Sequence, residues 1–304
     1  MRLLHLGNVV IDLVLTVGDL PTRGGDVIAS STTTAAGGGF NVMAAAVRQG
    51  LPTLYAGAHG TGPFGSQARE ALERAGVELL HPAREDQDTG FVVTLVDASG
   101  ERTFVTSRGA EATLTSEDLP DPVVGRDLVY LSGYSLLHDS NREALIPWLG
   151  AISADVPVFF DPGPLVAEIP EAALEAVFAR ADWWSCNAGE ATAVTGLAEP
   201  LEAARSLVRR TGRADVLVRT GAAGCFLAVR GAEVRHIDGF AVEAVDLNGA
   251  GDAHSGTFLA GIADGKEPAE AARRANAAAA LAVTRRGPAT SPTRDELEAY
   301  LRGR

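Results

Sequence analysis

The stretch DLNGAGD, residues 246–252, sets two carboxylates around a run of small residues and leads into AHSGTF. At the start of a helix, Gly249, Ala250 and Gly251 would leave the first N–H groups unpaired and unobstructed, which makes an anion hole. Asp252, in the first helical turn, is favoured by the helix dipole and stands beside the same anion. A carboxylate next to a phosphate cradle can take the proton of a hydroxyl as it attacks a phosphoryl group. The same residues also make an ordinary helix start after a tight glycine turn, so this motif alone leaves both readings open.

Other stretches carry compatible chemistry. AAGGGFNVMAAAVRQG (35–50) runs a glycine-rich turn into an alanine-rich helix. Its glycines would let a ligand lie against main chain, and Asn41 offers both a donor and an acceptor. FFDPGP (159–164) ends an apolar run in Asp161 and a rigid turn, and CNAGEATAVTG (186–196) sets Asn187 and Glu190 at capping-box spacing. LVRTGAAG (217–224) places Arg219, a bidentate donor suited to phosphate oxygens, before a turn containing Gly221 and Gly224. Each has a purely structural alternative as a turn, cap or hairpin.

These residues need a scaffold. Short apolar runs (RLLHLGN, TLYAGA, LVYLSG, VPVFFD, DWWSCN, DVLVRT) alternate with helical patterns after Asn41, at GSQAREALERAG, near NREALIPWLGAI, at 201–211, and in long alanine-rich helices over 251–285. That alternation predicts an α/β fold with a mostly parallel sheet covered on both faces. Ligands of such sheets gather at the carboxyl ends of the strands. Two segments break the rhythm: 13–34 and 90–109 are β-branched with Gly or Pro turns, and are expected to form hairpins outside the main sheet as a small β lid. AVEAVD (241–246), just before the anion-hole motif, is strand-like. No linker divides the chain, so residues 1–304 are expected to form one domain containing that lid.

Composition narrows the partners. The chain has 304 residues, 46% of them hydrophobic, enough for a large core. Its formal charge of −13 disfavours nonspecific contact with nucleic acid or anionic membrane. Lys266 is the only lysine, so a lysine-based phosphate loop is excluded and any phosphate cradle must rest on amides, arginine and metal. Cys186 and Cys225 have no metal-ligand spacing, no run reaches membrane-span length, and Asp12 interrupts the early apolar residues where a signal peptide would continue. A cytoplasmic location is expected.

DLNGAGDAHSGTF resembles the C-terminal signature of the ribokinase family of carbohydrate and nucleoside kinases, also called PfkB-type kinases, usually D-T-x-G-A-G-D. Leu247 replaces the usual Thr, and His254 stands where Phe is common. AAGGGFNVMAAAVRQG is similar to the N-terminal signature, with Ala36 in place of the first glycine and Gly38 where a larger residue is often found. The likeness extends over essentially the whole chain. It implies a three-layer ribokinase-like fold and ATP-dependent transfer of a γ-phosphate to a primary hydroxyl, with Asp252 as general base and residues 249–251 as anion hole. It implies that Asp12, Gly37, Gly38 and Asn41 bind the sugar, and that Asn187, Arg219, Gly221, Gly224 and Asn276 bind the nucleotide. Glu190, and Asp161 through water, would organise Mg2+ with ATP, and Asp246, with 286–291, would border a monovalent cation, K+. A homodimer through the lid is expected, since the hairpins expose strand edges.

The competing readings are a nucleoside kinase of the same family, in which Phe91 and Phe104 would meet the base, a non-catalytic sugar- or nucleotide-binding protein, and an NAD-dependent dehydrogenase. The last rests on GTGPFG (60–65), which fits G-x-G-x-x-G. It follows the second core strand rather than the first, and Pro63 removes an N–H donor.

Overall fold

The computed structural model describes residues 1–120 and 127–303. In chain order its strands are β1 (Arg2–Leu6), β2 (Val9–Thr16), β3 (Ser31–Gly38), β4 (Thr53–Tyr55), β5 (Glu78–Leu79), β6 (Phe91–Val96), β7 (Arg102–Ser107), β8 (Asp127–Ser132), β9 (Val158–Asp161), β10 (Trp183–Asn187), β11 (Asp215–Arg219), β12 (Gly224–Ala228) and β13 (Arg235–Asp238). The α-helices are α1 (Gly39–Arg48), α2 (Pro63–Ala75), α3 (Gly133–Leu136), α4 (Asp139–Ala151), α5 (Glu171–Arg180), α6 (Ala188–Thr195), α7 (Pro200–Thr211), α8 (Ala250–Ala263), α9 (Pro268–Ala282) and α10 (Arg294–Arg302).

Among the described residues, the large sheet runs β13-β12-β11-β10-β9-β8-β1-β4-β5. Its strands are parallel from β11 through β5, and β12 and β13 are added antiparallel. Successive side chains of a strand point to opposite faces, so a sheet covered on both sides needs apolar residues at every position. The doublets FF and WW meet that need. Phe159 and Trp183 enter one core with Val42, Phe258 and Ala275, while Phe160 and Trp184 enter the other with Leu145, Phe178 and Leu207. Helices α1, α8 and α9 therefore cover one face, and α4, α5 and α7 the other. The alanines of α9, among them Ala271, Ala272, Ala275 and Ala278, are buried core residues.

The two hairpins expected outside the main sheet form one small sheet, ordered β3-β2-β6-β7, with β2 and β6 parallel at its centre. It reaches deeper than expected. β2 begins at Val9 and β3 ends at Gly38, because Val9, Ile11 and Ala36 at the sheet's root pack on Met43 of α1 and on Ala68 and Leu72 of α2. Asp12 consequently lies within a strand of the small sheet. A second correction concerns residues 241–246, which form no strand. The segment is mostly exposed and pairs with no neighbouring strand; instead the amides of Val245 and Asp246 both donate to the Val283 carbonyl at the end of α9.

Candidate active site

Asn41 sits in the first turn of α1 and Asp252 in the first turn of α8, and the two helices pack on each other. Gly256 permits that approach, since a Cβ there would meet the Val42 carbonyl oxygen at 2.5 Å. The Asn41 amide Nδ2 donates to Asp252 Oδ2 at 3.1 Å, while Asn41 Oδ1 is buried without a partner. Burial, reinforced by the negative charge of Asp161, pushes the Asp252 carboxyl up to about 6, against the opposing pull of the Asn41 hydrogen bond and the Arg219 charge. Asp252 is therefore a stronger proton acceptor than an ordinary exposed Asp.

The anion hole is only partly open. Gly249 caps α8 with φ 75°, and the first i→i−4 bond of the helix is Ala253 N–H to Gly249 O at 2.8 Å. The Gly251 and Asp252 amides precede that bond, whereas the Ala250 amide already donates to the Leu247 carbonyl at 3.3 Å.

Asp12 pairs with Ala35 across β2 and β3, and its carboxylate lies diagonally over Gly37, where a Cβ would collide with it. The glycine is thus required by a neighbouring side chain as well as by any ligand. Burial raises the Asp12 carboxyl to about 6, opposed by the charge of Arg102.

Asp161, Asn187 and Arg219 end three adjacent strands, β9, β10 and β11, on the carboxyl edge of the large sheet. Arg219 Nη1 contacts Asp161 Oδ2 at 3.0 Å, Ser185 Oγ at 2.7 Å and Ser255 Oγ at 3.1 Å, and its Nη2 lies 3.6 Å from Glu190 Oε2. Instead of standing free as a phosphate donor, the guanidinium is surrounded by two carboxylates and two hydroxyls. Ser185 and Ser255 were missed by sequence reasoning; Ser185 lies two residues before Asn187, on the same side of β10. Asn187 and Glu190 form the capping box, with Glu190 N–H to Asn187 Oδ1 at 2.9 Å and Asn187 N–H to Glu190 Oε2 at 2.7 Å. Burial and Asp161 raise the Glu190 carboxyl, opposed by Arg219. Among the described residues no three His, Cys, Asp or Glu side chains cluster as a metal cage.

A cavity of about 480 Å³ opens beside this edge, and Asn187, Arg219, Gly221, Gly224, Ala250, Gly251 and Asn276 all line it. Asn276 also donates through Nδ2 to the Ile237 and Asp238 carbonyls, at 2.9 and 3.1 Å, tying α9 to β13. The opposite wall is the 239–247 segment, including Phe240, Val242 and Leu247. Sequence reasoning missed that wall because it read 241–246 as a strand.

The remaining expected positions fall elsewhere. The Asp246 carboxylate accepts from Arg102 Nη2 at 2.7 Å, Asn248 N–H at 3.0 Å and Gly287 N–H at 3.1 Å. A guanidinium from the small sheet thus stands against the oxygen assigned to a monovalent cation. At GTGPFG, the Asp88 carboxylate accepts from the Phe64 and Gly65 amides at 3.1 and 2.7 Å. The helix start where a dinucleotide's pyrophosphate would rest is filled by the chain's own anion. Phe91 packs on Phe64 with ring centroids 5.1 Å apart, and Phe104 is 59% exposed on β7.

The sequence pattern of the pfkB family carbohydrate kinases matches residues 2–295. The chain belongs to the pfkB family of carbohydrate kinases. This kinase is 32% identical over 307 residues to a protein named uncharacterized sugar kinase YegV from Escherichia coli, covering 96% of this chain and 91% of that one. It is 30% identical over 312 residues to a fructokinase of Klebsiella pneumoniae, covering 97% and 98% of the two chains. Its fold matches that of Arabidopsis thaliana ribokinase complexed with ribose and ATP, with a TM-score of 0.81, 25% identity and coverage of 99% and 98%. The fold is ribokinase-like, and the kinase is a phosphotransferase acting on an alcohol group. No helix among the described residues is long and apolar enough to cross a membrane.

Proposed function

We propose that this kinase transfers the γ-phosphate of ATP to a primary hydroxyl of a sugar held between the carboxyl edge of the large sheet and the small sheet, which acts as a lid. The observation that carries the reading is the hydrogen bond between Asn41 and Asp252. It joins the expected sugar-binding turn to the expected base and leaves Asn41 Oδ1 as a free acceptor for a sugar hydroxyl. Asp12, with Gly37 against its carboxylate and Gly38 next along β3, holds the other hydroxyls. Asp252 takes the proton of the attacking hydroxyl, and the Gly251 and Asp252 amides face the transferred phosphoryl group.

ATP fits the cavity lined by Asn187, Arg219, Gly221, Gly224 and Asn276. Arg219 acts by holding Asp161 and Glu190 in place and offsetting their charge. The oxygen donors Asp161 and Glu190 suit Mg2+, and the lack of a three-residue cage among the described residues suits an ion held largely by water and phosphate oxygens. Bound with ATP, Mg2+ would neutralise charge on the phosphates. A K+ ion beside Asp246 would share that carboxylate with Arg102. Two copies would pair through the small sheet, whose edge strand β7 exposes Phe104 and Val105.

The test is ADP release measured in a coupled assay across sugars and nucleosides. Stimulation by one or a few sugars is expected; a nucleoside as best acceptor would favour the other branch of the family, and stimulation by neither would overturn the reading.

A further inference from the structure

The β6–β7 hairpin is paired from its turn at 97–101 back to Phe91 and Ser107, where the ladder ends. Just beyond that pair, the amides of Gly90 and Gly109 converge on one side chain. Glu111 Oε2 accepts from Gly90 N–H at 2.7 Å, and Glu111 Oε1 accepts from Gly109 N–H at 2.8 Å. Glu111 is 2% exposed. A Cβ on Gly90 would collide with its carboxylate, and one on Gly109 would collide with the Gly90 nitrogen. Both glycines are therefore needed for the two chain segments to close around one carboxylate.

A buried amide past the end of a ladder needs an acceptor, and a neutral side chain would serve for either one alone. A carboxylate supplies two acceptor oxygens in fixed relation, so both strand ends are tied to a single point. Burial pushes the Glu111 carboxyl up, opposed by the hydrogen bonds from Gly90 and Gly109. The tie point belongs to the body of the protein. Asn141, fully buried in the first turn of α4, donates through Nδ2 to the Glu111 carbonyl at 2.9 Å and accepts from Leu114 N–H at 2.8 Å. From the tie, the bonds lead on to the site. Gly90 O accepts from Ile11 N–H at 3.1 Å, and the next residue on β2 is Asp12, paired with Val92 of β6.

We propose that Glu111 is a positioning residue for the acceptor: it pins the open end of the small sheet to the body of the kinase and so fixes where Asp12 stands. It acts through Gly90 and β2, and it is not among the residues lining the cavity proposed for ATP. Loosening the tie should therefore be felt by the acceptor and not by the nucleotide. The inference rests on Asp12 binding the acceptor, as proposed above.

Steady-state kinetics of wild type, Glu111→Gln, Asp12→Ala and the double variant, with the acceptor that best stimulates ADP release, test it. Glu111→Gln keeps the volume and one acceptor oxygen but sets an NH2 group against the second amide. It should raise KM for the acceptor about fivefold, the scale of one hydrogen bond, and leave KM for ATP within about twofold. In the Asp12→Ala background the same substitution should add little, because its effect runs through Asp12. In wild type, the Gly90 and Gly109 amides should exchange with solvent as slowly as those of the large sheet. Equal rises in both KM values, an undiminished effect in the Asp12→Ala background, or Gly90 and Gly109 amides that exchange as fast as exposed ones would overturn the assignment and leave the acceptor reading intact. Asp12→Ala with an unchanged KM for the acceptor would overturn both.

Discussion

Asn41 Nδ2 lies 3.1 Å from Asp252 Oδ2, although the two residues are 211 positions apart. The contact makes one unit of two helix starts, and under the proposed function a hydroxyl bound at Asn41 would be delivered beside a carboxylate whose burial raises its affinity for protons. Asp252→Asn keeps the volume and can still accept from Asn41, but it cannot take a proton. It should lower kcat by ~10²-fold or more while changing ATP and sugar affinities only a few-fold. Steady-state kinetics and nucleotide titration on one preparation check this, and near-normal turnover in a folded, ATP-binding variant would remove Asp252 from the chemistry.

The same substitution should stabilise the apo protein. The folded-state pKa of Asp252, about 6, lies above the ordinary 3.8. Binding of that proton therefore favours the fold fully below the unfolded value, and the contribution is lost as pH rises through about 6. At pH about 8 the wild type carries the buried charge and Asp252→Asn does not, so the variant should melt higher, by up to about 3 kcal/mol in stability. The gap should close towards pH about 4. Thermal melts across that range decide it, and a gap that widens on acidification would contradict the buried-charge account.

The pH–rate profile should follow. With free-enzyme Asp252 and Asp12 both raised to about 6, kcat/KM for the sugar should fall as pH drops through that value. The negative charge of Asp12 adds to the upward push on Asp252. In Asp12→Asn the limb should move to lower pH as one negative neighbour is removed. A profile flat between about pH 5 and 8 would exclude a base with the surroundings seen here.

Asp12→Ala should raise KM for the sugar far more than for ATP, by roughly 1.5–3 kcal/mol for a charged hydrogen-bonding partner. The side chain sits on β2 of the small sheet, not among the residues lining the cavity proposed for ATP. Equal effects on both substrates would show that its role is to hold the small sheet rather than to bind the acceptor.

Exchange of K+ for a bulky organic cation at constant ionic strength should lower kcat if a monovalent ion shares Asp246 with Arg102. Activity indifferent to the exchange would mean that Arg102 alone answers that carboxylate's charge.

Much of the architecture is legible in local chemistry. The FF and WW doublets announce strands buried on both faces, the glycine turns announce the ends of β11 and the starts of α1 and α8, and Asn187 with Glu190 announces the start of α6. These signals depend on side-chain periodicity and on bonds between near neighbours, and both are written directly into residue order. The composition, with Lys266 as its only lysine, also restricts how phosphate could be held.

What residue order leaves open is which groups use up one another's hydrogen bonds and charge. Strand order brings Asp161, Glu190 and Arg219 together, so a guanidinium legible as a phosphate donor is instead enclosed by carboxylates. Asp88 reaches the amides of α2 and fills a helix start that reads as a dinucleotide turn. AVEAVD has the composition of a strand but no neighbour to pair with, and becomes a cavity wall. His254 reads as a substitution in a signature until the fold buries it in α8, where it is 3% exposed. Pairing and burial are relations between distant segments, and their electrostatic consequences appear only once the chain has closed around them.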